Sequence, residues 1–400
     1  MARARLRGRA LRPLISLVLI FVVGCAPARH YEAVLVLHDL ATNAPDTRLK
    51  RTTPEPLRQP VSYTVGGRTH QGDLYLPAPL AGCEREPVPR CPRAALVAVP
   101  GAVPRGKDDP RLVAFATTLA RAGFAVLAPD IAGYRQLRIR PTDAEEIADA
   151  FDWISGQPQL APEGRAGLFA FSYAVGPTVL AALDEAVRDR VRFIVGVGGY
   201  HDLPRAMRFF TTGWFEHAGH WQHLPPDDTG KLVLVYSSLD YVSAPDRNVL
   251  KRMVTLRSEN RDADLAPLAE ALDEAGRSVY ALAVNTDPAR FPDHYARLPQ
   301  AMRDDIGQLD LAKQDLTALK ARLLLVHGRN DNLIPWPESV ALGEAVPAGQ
   351  ARVFLIGSAL GHVDLGIASV FSWRFWREDL PDLVRLWRVV DLVLAERERE

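Results

Sequence analysis

The sequence predicts an α/β protein with a mostly parallel, doubly wound sheet and a helical cap inserted after the sixth strand. From Ala94 onwards, short runs that are apolar throughout alternate with helix patterns, which is typical of a parallel sheet covered on both faces. Between 203 and 320 this alternation stops. A span of that length inside a compact domain is expected to have its own secondary structure, and its patterns favour helices.

Composition limits the classes of partner. The chain has 400 residues, enough for one large α/β domain with an insertion. Basic and acidic residues number 48 each, and no basic stripe is present. A balanced charge of this kind argues against nucleic acid as a partner. The small-molecule acyl substrate that we expect follows from the motifs described below.

The N-terminus is typical of an export signal. Five arginines precede an apolar run from Leu14 to Gly24 that is too short to span a bilayer. Val22-Val-Gly-Cys25 resembles the bacterial lipobox, in which cleavage occurs before a lipidated cysteine. We therefore expect a signal peptide at 1–24 and a lipid anchor at Cys25 that holds the protein on a membrane of the bacterial cell envelope, facing the periplasm. An ordinary secretory signal or a short anchor is the alternative.

Two cysteines remain, Cys83 and Cys91, in a short proline-rich stretch. In an exported protein such a pair is expected to form a disulfide, with no part in catalysis. Residues 25–60 lack clear periodicity and are expected to form an N-terminal segment that is partly a tether. Alternating runs on both sides of Gly66-Gly67 then predict a hairpin at the edge of the sheet.

The domain plan follows from these patterns. We expect one part of the core at 61–202, the helical cap at 203–320 and the second part of the core at 321–400. A closing helix at 380–398 is expected to pack on the sheet through one apolar face, formed by Leu383, Val384, Trp387, Val390 and Leu394.

An apolar run ends at Ser172, and a helix pattern of small residues begins at once. We predict a strand, a sharp turn and a helix, with Ser172 at the apex of the turn. Such a turn exposes the hydroxyl group and needs small neighbours, which Ala170 and Ala174 supply. The usual G-x-S-x-G motif has glycine at both of these positions. A serine that merely ends a buried strand is the alternative interpretation.

An attacking serine needs a base to accept its proton and a carboxylate to orient that base. Asp331 follows a predicted buried strand, and His362 lies in the loop after the last strand. The order Ser172, Asp331, His362 resembles that of the α/β-hydrolase fold family of serine hydrolases. Over 61–398 the resemblance is most specific at the turn around Ser172, at His327-Gly-x-x-Asp331-x-x-Ile-Pro and at Gly361-His362. It implies nucleophile, acid and base roles for the three residues.

The resemblance also implies an oxyanion hole. Val99-Pro-Gly-Ala102 takes the place where relatives often have His-Gly, with proline here instead of histidine. The donors in that family are backbone N–H groups, so the replacement need not remove them. We expect the N–H groups of Ala102 and Tyr173 to serve as donors.

Other polar residues compete for these roles. Asp240 follows the strand-like run 231–236 and is an alternative acid. Asp130 follows an earlier strand and is expected to fix the next loop by hydrogen bonds. His327 closes a buried strand and is expected to be a structural histidine with its hydrogen bonds satisfied.

Three histidines, His217, His220 and His223, are spaced by three and would partly share one face of a helix, so a metal site has to be considered. No carboxylate or cysteine falls in a familiar ligand spacing beside them. The tryptophans around them favour an aromatic cap surface near the substrate instead. We expect neither a metal nor a cofactor.

The sequence therefore predicts a serine hydrolase that cleaves carboxylic esters. A dehalogenase or epoxide hydrolase of this fold would have aspartate in place of Ser172. A peptidase or amidase of the prolyl-oligopeptidase kind is the nearest alternative, but the stretch before Ala94 is too short for the propeller of such enzymes. The alternative from another class is a non-catalytic binding lipoprotein, for which the alanines at 170 and 174 are the indication.

Overall fold

The computed structural model describes residues 27–42, 44–78, 92–357 and 375–398. Within these ranges eight strands form one sheet, in the order β1-β2-β4-β3-β5-β6-β9-β10, and two more form a separate hairpin, β7-β8. The strands are β1 (Leu57–Val65), β2 (Arg68–Leu76), β3 (Ala94–Val99), β4 (Phe124–Pro129), β5 (Ala166–Phe171), β6 (Phe193–Val197), β7 (Trp214–His217), β8 (His220–His223), β9 (Arg322–Gly328) and β10 (Ala351–Ile356).

Helices cover both faces of the sheet. Within the described ranges they are α1 (Pro27–Thr42), α2 (Arg48–Thr52), α3 (Pro110–Arg121), α4 (Ala132–Arg135), α5 (Asp143–Ser155), α6 (Val175–Ala181), α7 (Leu203–Thr212), α8 (Thr229–Ser238), α9 (Ala244–Glu259), α10 (Ala266–Glu270), α11 (Glu274–Ala283), α12 (Phe291–Ala296), α13 (Gln300–Leu309), α14 (Pro337–Ala345) and α15 (Leu380–Glu396). No helix in these ranges is both long and apolar enough to cross a bilayer.

Alternating side chains of the central strands divide the core into two clusters. Leu168 and Ile194 pack with α5 and α6 on one face, whereas Phe169, Val195 and Val326 pack with α1, α3 and α15 on the other. Because these strands are buried on both faces, most of their residues are apolar, as the sequence predicted, with Arg322 and His327 of β9 as polar exceptions. The pairs between neighbouring strands from β4 to β10 are parallel.

The predicted hairpin is confirmed at the edge of the sheet. β1 and β2 pair antiparallel over their whole length, and β2 joins the rest of the sheet through β4. Gly66 and Gly67 have φ angles of 55° and 82°. A two-residue turn with positive φ at both positions matches the twist of the flanking strands and favours glycine.

The N-terminal segment contains a helix that the sequence did not predict. In α1, Ala33 and Val36 are completely buried against the sheet face that α3 and α15 also cover. Asp39 of the same helix is buried and accepts a hydrogen bond of 2.6 Å from the Thr118 hydroxyl on α3. Residues 27–42 are therefore part of the core.

The segment between β6 and β9 contains helices α7 to α13, together with the β7-β8 hairpin. The strand-like run 231–236 is in fact part of helix α8. Val233 and Leu234 are buried there, and a short apolar run of this kind fits a buried helix as well as a strand. The expectation that His217, His220 and His223 share a helix face is also wrong, because they lie on the hairpin, with His217 opposite His220.

The closing helix is present, but its buried face differs from the prediction. Val384 is 54% exposed, whereas Val389 and Val393 are buried and Leu394 is completely buried. Asp382 at the start of α15 is buried and accepts a hydrogen bond of 2.8 Å from the Gly357 N–H. Asp382 thus faces the end of β10, whereas Val384, on the same helix, faces outwards.

Candidate active site

The predicted turn at Ser172 is confirmed. β5 ends at Phe171, a single 3₁₀ turn covers Ser172–Ala174, and α6 follows directly. Ser172 has a φ angle of 56°. This left-handed conformation costs a residue with a Cβ about 1–2 kcal/mol, and strain of this kind is concentrated at functional sites.

Close packing around the turn depends on small residues. Ala170 and Ala174 are buried, as expected of residues that flank such a turn. A Cβ atom on Gly176 would lie 2.0 Å from the Tyr200 Oη, so only glycine fits at that position of α6. A Cβ atom on Gly199 would lie 2.5 Å from the Cβ of Val175. Neither glycine could be recognised from the sequence, because the contacts join α6 to the loop after β6.

The loop that carries Ala102 lies beside Ser172. A Cβ atom on Gly101 would be 3.8 Å from the carbonyl oxygen of Phe171, which places the loop against the end of β5. Ala102, Ser172 and Tyr173 line the same cavity. The structure thus brings together the serine and the two residues predicted to supply oxyanion donors.

Asp331 lies in a tight turn after β9 and is 1% exposed. Its Oδ1 accepts hydrogen bonds from the N–H groups of Leu333 at 2.8 Å and Ile334 at 3.0 Å. Two backbone donors on one oxygen fix the orientation of the carboxyl group. The polar turn predicted from the sequence therefore holds this acid in a defined position.

His327 contacts the turn that carries Asp331 and is completely buried. Its Nε2 lies 2.9 Å from the Ile334 carbonyl oxygen, which can only accept, so Nε2 carries a proton. Its Nδ1 lies 2.7 Å from the Ser339 hydroxyl on α14. Both ring nitrogens therefore have partners, as expected of a structural histidine. Ser339 could not be recognised from the sequence, because its role depends on this packing.

The register of the sheet brings the ends of β5, β6, β9 and β10 to one edge. Phe171 pairs with Val197, Val197 with Val326 and Val326 with Phe354. The chain segments that follow these strands leave from the same carboxyl edge, where ligands bind in sheets of this type. Strand β10 ends at Ile356. His362 comes six residues later in the sequence and lies outside the described residues. Cys25, Cys83 and Cys91 also lie outside them.

The two competing aspartates have other partners. Asp240 lies 3.1 Å from Arg138 and 3.0 Å from Arg140, in ion pairs between the end of α8 and the loop after α4. Asp130 lies 3.1 Å from Arg135, five residues further along the chain. This contact agrees with the expectation that Asp130 fixes the following loop.

Two histidines of the hairpin, His217 and His223, make ring contacts. The His217 ring centroid lies 4.4 Å from that of Trp336, and the His223 centroid lies 4.8 Å from that of Trp214. Among the described residues, no group of three or more His, Cys, Asp or Glu side chains is arranged to hold a metal ion. The contacts form an aromatic surface next to the turn that carries Asp331.

Two buried ionisable groups, Tyr173 and Glu338, lie in segments that follow the strands at this edge of the sheet. Burial, with a smaller contribution from the negative charge of Asp331, raises the pKa of Tyr173 well above its usual range. Burial also raises the pKa of Glu338 on α14. The Glu338 carboxylate accepts hydrogen bonds from the N–H groups of His201 at 3.0 Å and Asp202 at 2.8 Å. These bonds join α14, which carries Ser339, to the loop after β6.

A cavity of ≈ 570 Å³ opens at Ser172. Its walls come from the Ala102 loop, from the central strands and from helices α1, α3 and α15, and most of the lining residues are apolar. Pockets of about 300–1,000 Å³ with mostly apolar walls and a few polar groups are typical of small-molecule sites. The serine therefore lines a space large enough for a substrate.

No protein-family model matches the chain, and no curated protein is significantly similar to it. Among solved structures, Pyrococcus horikoshii acylaminoacyl peptidase gives a TM-score of 0.43 at 12% identity, over 87% of this chain and 42% of that one. The chain therefore spans less than half the length of that peptidase. A dienelactone hydrolase-like promiscuous phosphotriesterase from metagenomic libraries gives 0.41 at 14% identity, over 86% of this chain and 99% of that one.

A Legionella pneumophila protein with the provisional name of hydrolase gives a TM-score of 0.51 at 12% identity, covering 93% of this chain and 95% of its own. At this identity the likeness concerns the fold alone. The strand order, the parallel pairing and the helices on both faces agree with this likeness in fold. The chain has an α/β-hydrolase-type fold, with a mostly parallel eight-stranded sheet.

Proposed function

We propose that this protein is a serine hydrolase that cleaves carboxylic esters through an acyl-enzyme intermediate. Ser172 is the nucleophile, His362 is the general base, and Asp331 orients His362. The N–H groups of Ala102 and Tyr173 stabilise the oxyanion. The observation that carries the proposal is the positive φ angle of Ser172, on a strand-to-helix turn that opens into a large apolar cavity.

In the acylation half-reaction, His362 accepts the proton of the Ser172 hydroxyl while Oγ forms a bond to the ester carbonyl carbon. The carbonyl oxygen becomes an oxyanion between the two N–H groups. When the tetrahedral intermediate collapses, the carbon–oxygen bond to the alcohol breaks, and the alcohol leaves with the proton from His362. Water then adds to the acyl-enzyme by the same route, which releases the carboxylic acid and restores the serine.

The network around Asp331 supports the role given to it. Its Oδ1 is held by two backbone donors, and its carboxyl group is buried. An acid fixed in this way can orient an imidazole without moving, and such pre-organisation lowers the cost of reaching the transition state. Loss of the acid in a related triad slows the reaction by about 10⁴-fold.

Labelling with a fluorophosphonate tests the nucleophile. The full-length protein should be labelled covalently, and Ser172→Ala should not be. Ser258→Ala removes an exposed serine from α9 and should be labelled like the wild-type protein. Absence of labelling in the wild-type protein would overturn the enzyme proposal and favour a non-catalytic binding protein.

A second measurement tests the reaction class. Aryl esters and aminoacyl aryl amides are compared at equal concentration with the same enzyme preparation. We expect a higher kcat/KM for the esters by at least about tenfold, a difference of about 1.4 kcal/mol in activation free energy. A higher kcat/KM for the amides would show a peptidase or amidase instead.

We also propose that Cys25 carries a lipid anchor and that the protein faces the periplasm. Helix α1 begins two residues after Cys25 and packs into the core, so an anchor there would hold the domain close to the membrane surface. The wild-type protein should partition into detergent and incorporate labelled palmitate, whereas Cys25→Ser should do neither. Incorporation that is equal in both proteins would contradict the proposal.

A disulfide between Cys83 and Cys91 is a further proposal from the sequence. A peptide that contains both cysteines should have a mass two hydrogens lower before reduction than after it. Free thiols at both positions in protein purified from the periplasm would contradict the proposal.

A further inference from the structure

The cavity that begins at Ser172 extends away from the helix that follows the serine. Its strand residues Phe169, Val195 and Val326 belong to the core cluster that packs with α1, α3 and α15. Side chains alternate between the two faces along a strand, so these residues lie on the face opposite α6. The cavity therefore leads from the edge of the sheet into the layer between the sheet and these three helices.

Three aromatic rings line the part of the cavity near the serine. The Phe115 centroid lies 4.3 Å from that of Phe169 and 5.3 Å from that of Phe171, the residue directly before Ser172. Further along, Val36 of α1 and Val390 of α15 line the walls. A ligand that extends from Ser172 into this space would contact hydrocarbon along its length.

The charged groups on the walls have partners within the protein. Asp39 accepts hydrogen bonds from the hydroxyl groups of Thr47 and Thr118. Asp109 accepts the Arg111 N–H at 2.9 Å as the cap of α3, and it also pairs with the Arg111 side chain at 3.0 Å. These groups do not require a charged ligand to satisfy them, so the chemistry of the cavity favours an apolar chain.

We propose that this cavity holds the acyl chain of the substrate, and that the substrates are esters of medium- to long-chain fatty acids. The inference deepens the proposed function and rests on it. In the acyl-enzyme the chain begins at the carbon bonded to Ser172 Oγ, so it has to continue into an apolar space that opens at that atom. The second cavity, lined by Tyr173, Met207 and Ile306, has only ≈ 60 Å³ and is too small for such a chain.

The test uses p-nitrophenyl esters from acetate to palmitate, which share one leaving group and differ only in the acyl chain. For the full-length wild-type protein, kcat/KM should rise at least tenfold from acetate to an optimum at or beyond the octanoate ester. An optimum at acetate would overturn the acyl-chain proposal while leaving the serine hydrolase in place. If no ester is cleaved and Ser172 is not labelled by a fluorophosphonate, the proposed function itself fails.

Variants that narrow the cavity test its location. Val390→Phe on α15 should lower the ratio of kcat/KM for octanoate over acetate at least tenfold. Val384→Phe is the matched control, because it places the same side chain on the same helix at a position that is 54% exposed and outside the cavity. It should leave the ratio unchanged. Equal ratios in the two variants would overturn the proposal.

A second variant covers the case in which Val390→Phe does not fold. If thermal unfolding shows that Val390→Phe is not folded, Val36→Phe narrows the same cavity from α1. The same fall in the ratio is expected, and an unchanged ratio in folded protein would place the acyl chain elsewhere. Inactivation by alkyl p-nitrophenyl phosphonates gives an independent readout. A longer alkyl chain should increase the rate of inactivation of the wild-type protein and of Val384→Phe. The increase in rate should be smaller for Val390→Phe or Val36→Phe.

Discussion

The Nε2 atom of His327 lies 3.3 Å from the Oδ2 atom of Asp331, and both side chains are buried. The same Nε2 donates to the Ile334 carbonyl oxygen, and Nδ1 contacts the Ser339 hydroxyl. His327 therefore connects the last residues of β9, the turn that carries Asp331 and the start of α14. In the proposed mechanism it is a positioning residue, since it acts on the reaction through Asp331.

His327→Gln should lower kcat while KM for a short aryl ester changes little. The substitution removes the ring that spans the turn, and a displacement of about 1 Å in a catalytic group can cost about 100-fold in rate. We expect a fall in kcat of about 10- to 100-fold, measured by steady-state kinetics. Ser339→Ala removes only the contact at Nδ1 and should have a smaller effect. A loss of stability with unchanged kcat in folded protein would show a purely structural role.

Glycine at position 172 should give a more stable protein than alanine. Ser172 has a φ angle of 56°, which strains any residue with a Cβ atom. Ser172→Gly should therefore unfold with a free energy about 0.5–1 kcal/mol higher than Ser172→Ala, although both variants should be inactive. Chemical denaturation of the two variants measures the difference.

Ala174→Gly is the matched control for that comparison. Ala174 has an ordinary φ angle of −65°, so glycine there only adds flexibility to the unfolded chain. We expect it to destabilise the protein by about 0.5–1 kcal/mol. Glycine should therefore raise stability at 172, relative to Ser172→Ala, and lower it at 174, relative to the wild-type protein. A change in the same direction at both positions would show that backbone strain at Ser172 does not lower the stability of the folded protein.

Local patterns allowed much of the fold to be predicted. The strand before Ser172, the helix after it and the polar turn at Asp331 each occupy a short continuous stretch. Their apolar runs and small residues therefore indicated the elements directly. The Gly66-Gly67 hairpin is confirmed for the same reason, because the turn chemistry lies between two alternating runs.

Packing between distant segments could not be predicted in the same way. Helix α1 has only a short apolar run, and its burial depends on α3 and α15, far along the chain. The spacing of three between the hairpin histidines fits a helix, but positive φ angles at Ala218 and Gly219 reverse the chain between them. The role of Gly176 depends on Tyr200, which belongs to the loop after another strand. None of these partners is specified by residues nearby in the sequence.

Gly176→Ala should impair both stability and activity. The added methyl group would lie 2.0 Å from the Tyr200 Oη, whose hydroxyl donates a hydrogen bond of 3.0 Å to the Leu309 carbonyl oxygen. Relief of this clash has to move α6 or Tyr200, and overpacking of this kind costs about 1–3 kcal/mol. Because α6 follows the turn that carries Ser172, kcat should fall as well.

The control is Gly307→Ala on α13. The nearest atom to its Cβ would be the Lys313 Nζ at 3.4 Å, the end of a flexible side chain. We expect stability to be unchanged or to rise by up to about 1 kcal/mol, with no effect on kcat. A thermal unfolding scan of both variants compares them, and similar midpoints would contradict the close fit of α6 against Tyr200.

Asp143 should make the protein less stable as the pH rises towards neutrality. This residue begins α5 and is 2% exposed. Burial raises its pKa to about 7, although a hydrogen bond of 2.8 Å from the Arg140 N–H acts in the opposite direction. Because this pKa is higher in the folded than in the unfolded protein, the folded state binds the proton more tightly. Its contribution to stability is complete below about pH 4 and is lost as the pH rises through 7.

Asp143→Asn isolates this contribution, since asparagine is neutral at every pH and retains an oxygen for the Arg140 N–H. Urea unfolding from pH 4 to pH 8 should show the wild-type protein losing stability relative to the variant, by up to about 4 kcal/mol. Glu145→Gln removes an exposed charge from the same turn of α5 and controls for charge loss alone. Other buried carboxyl groups with raised pKa values, such as Glu338, are present in all three proteins and cancel in the comparison. Parallel pH profiles for wild type and Asp143→Asn would show that Asp143 does not hold its proton in the folded protein.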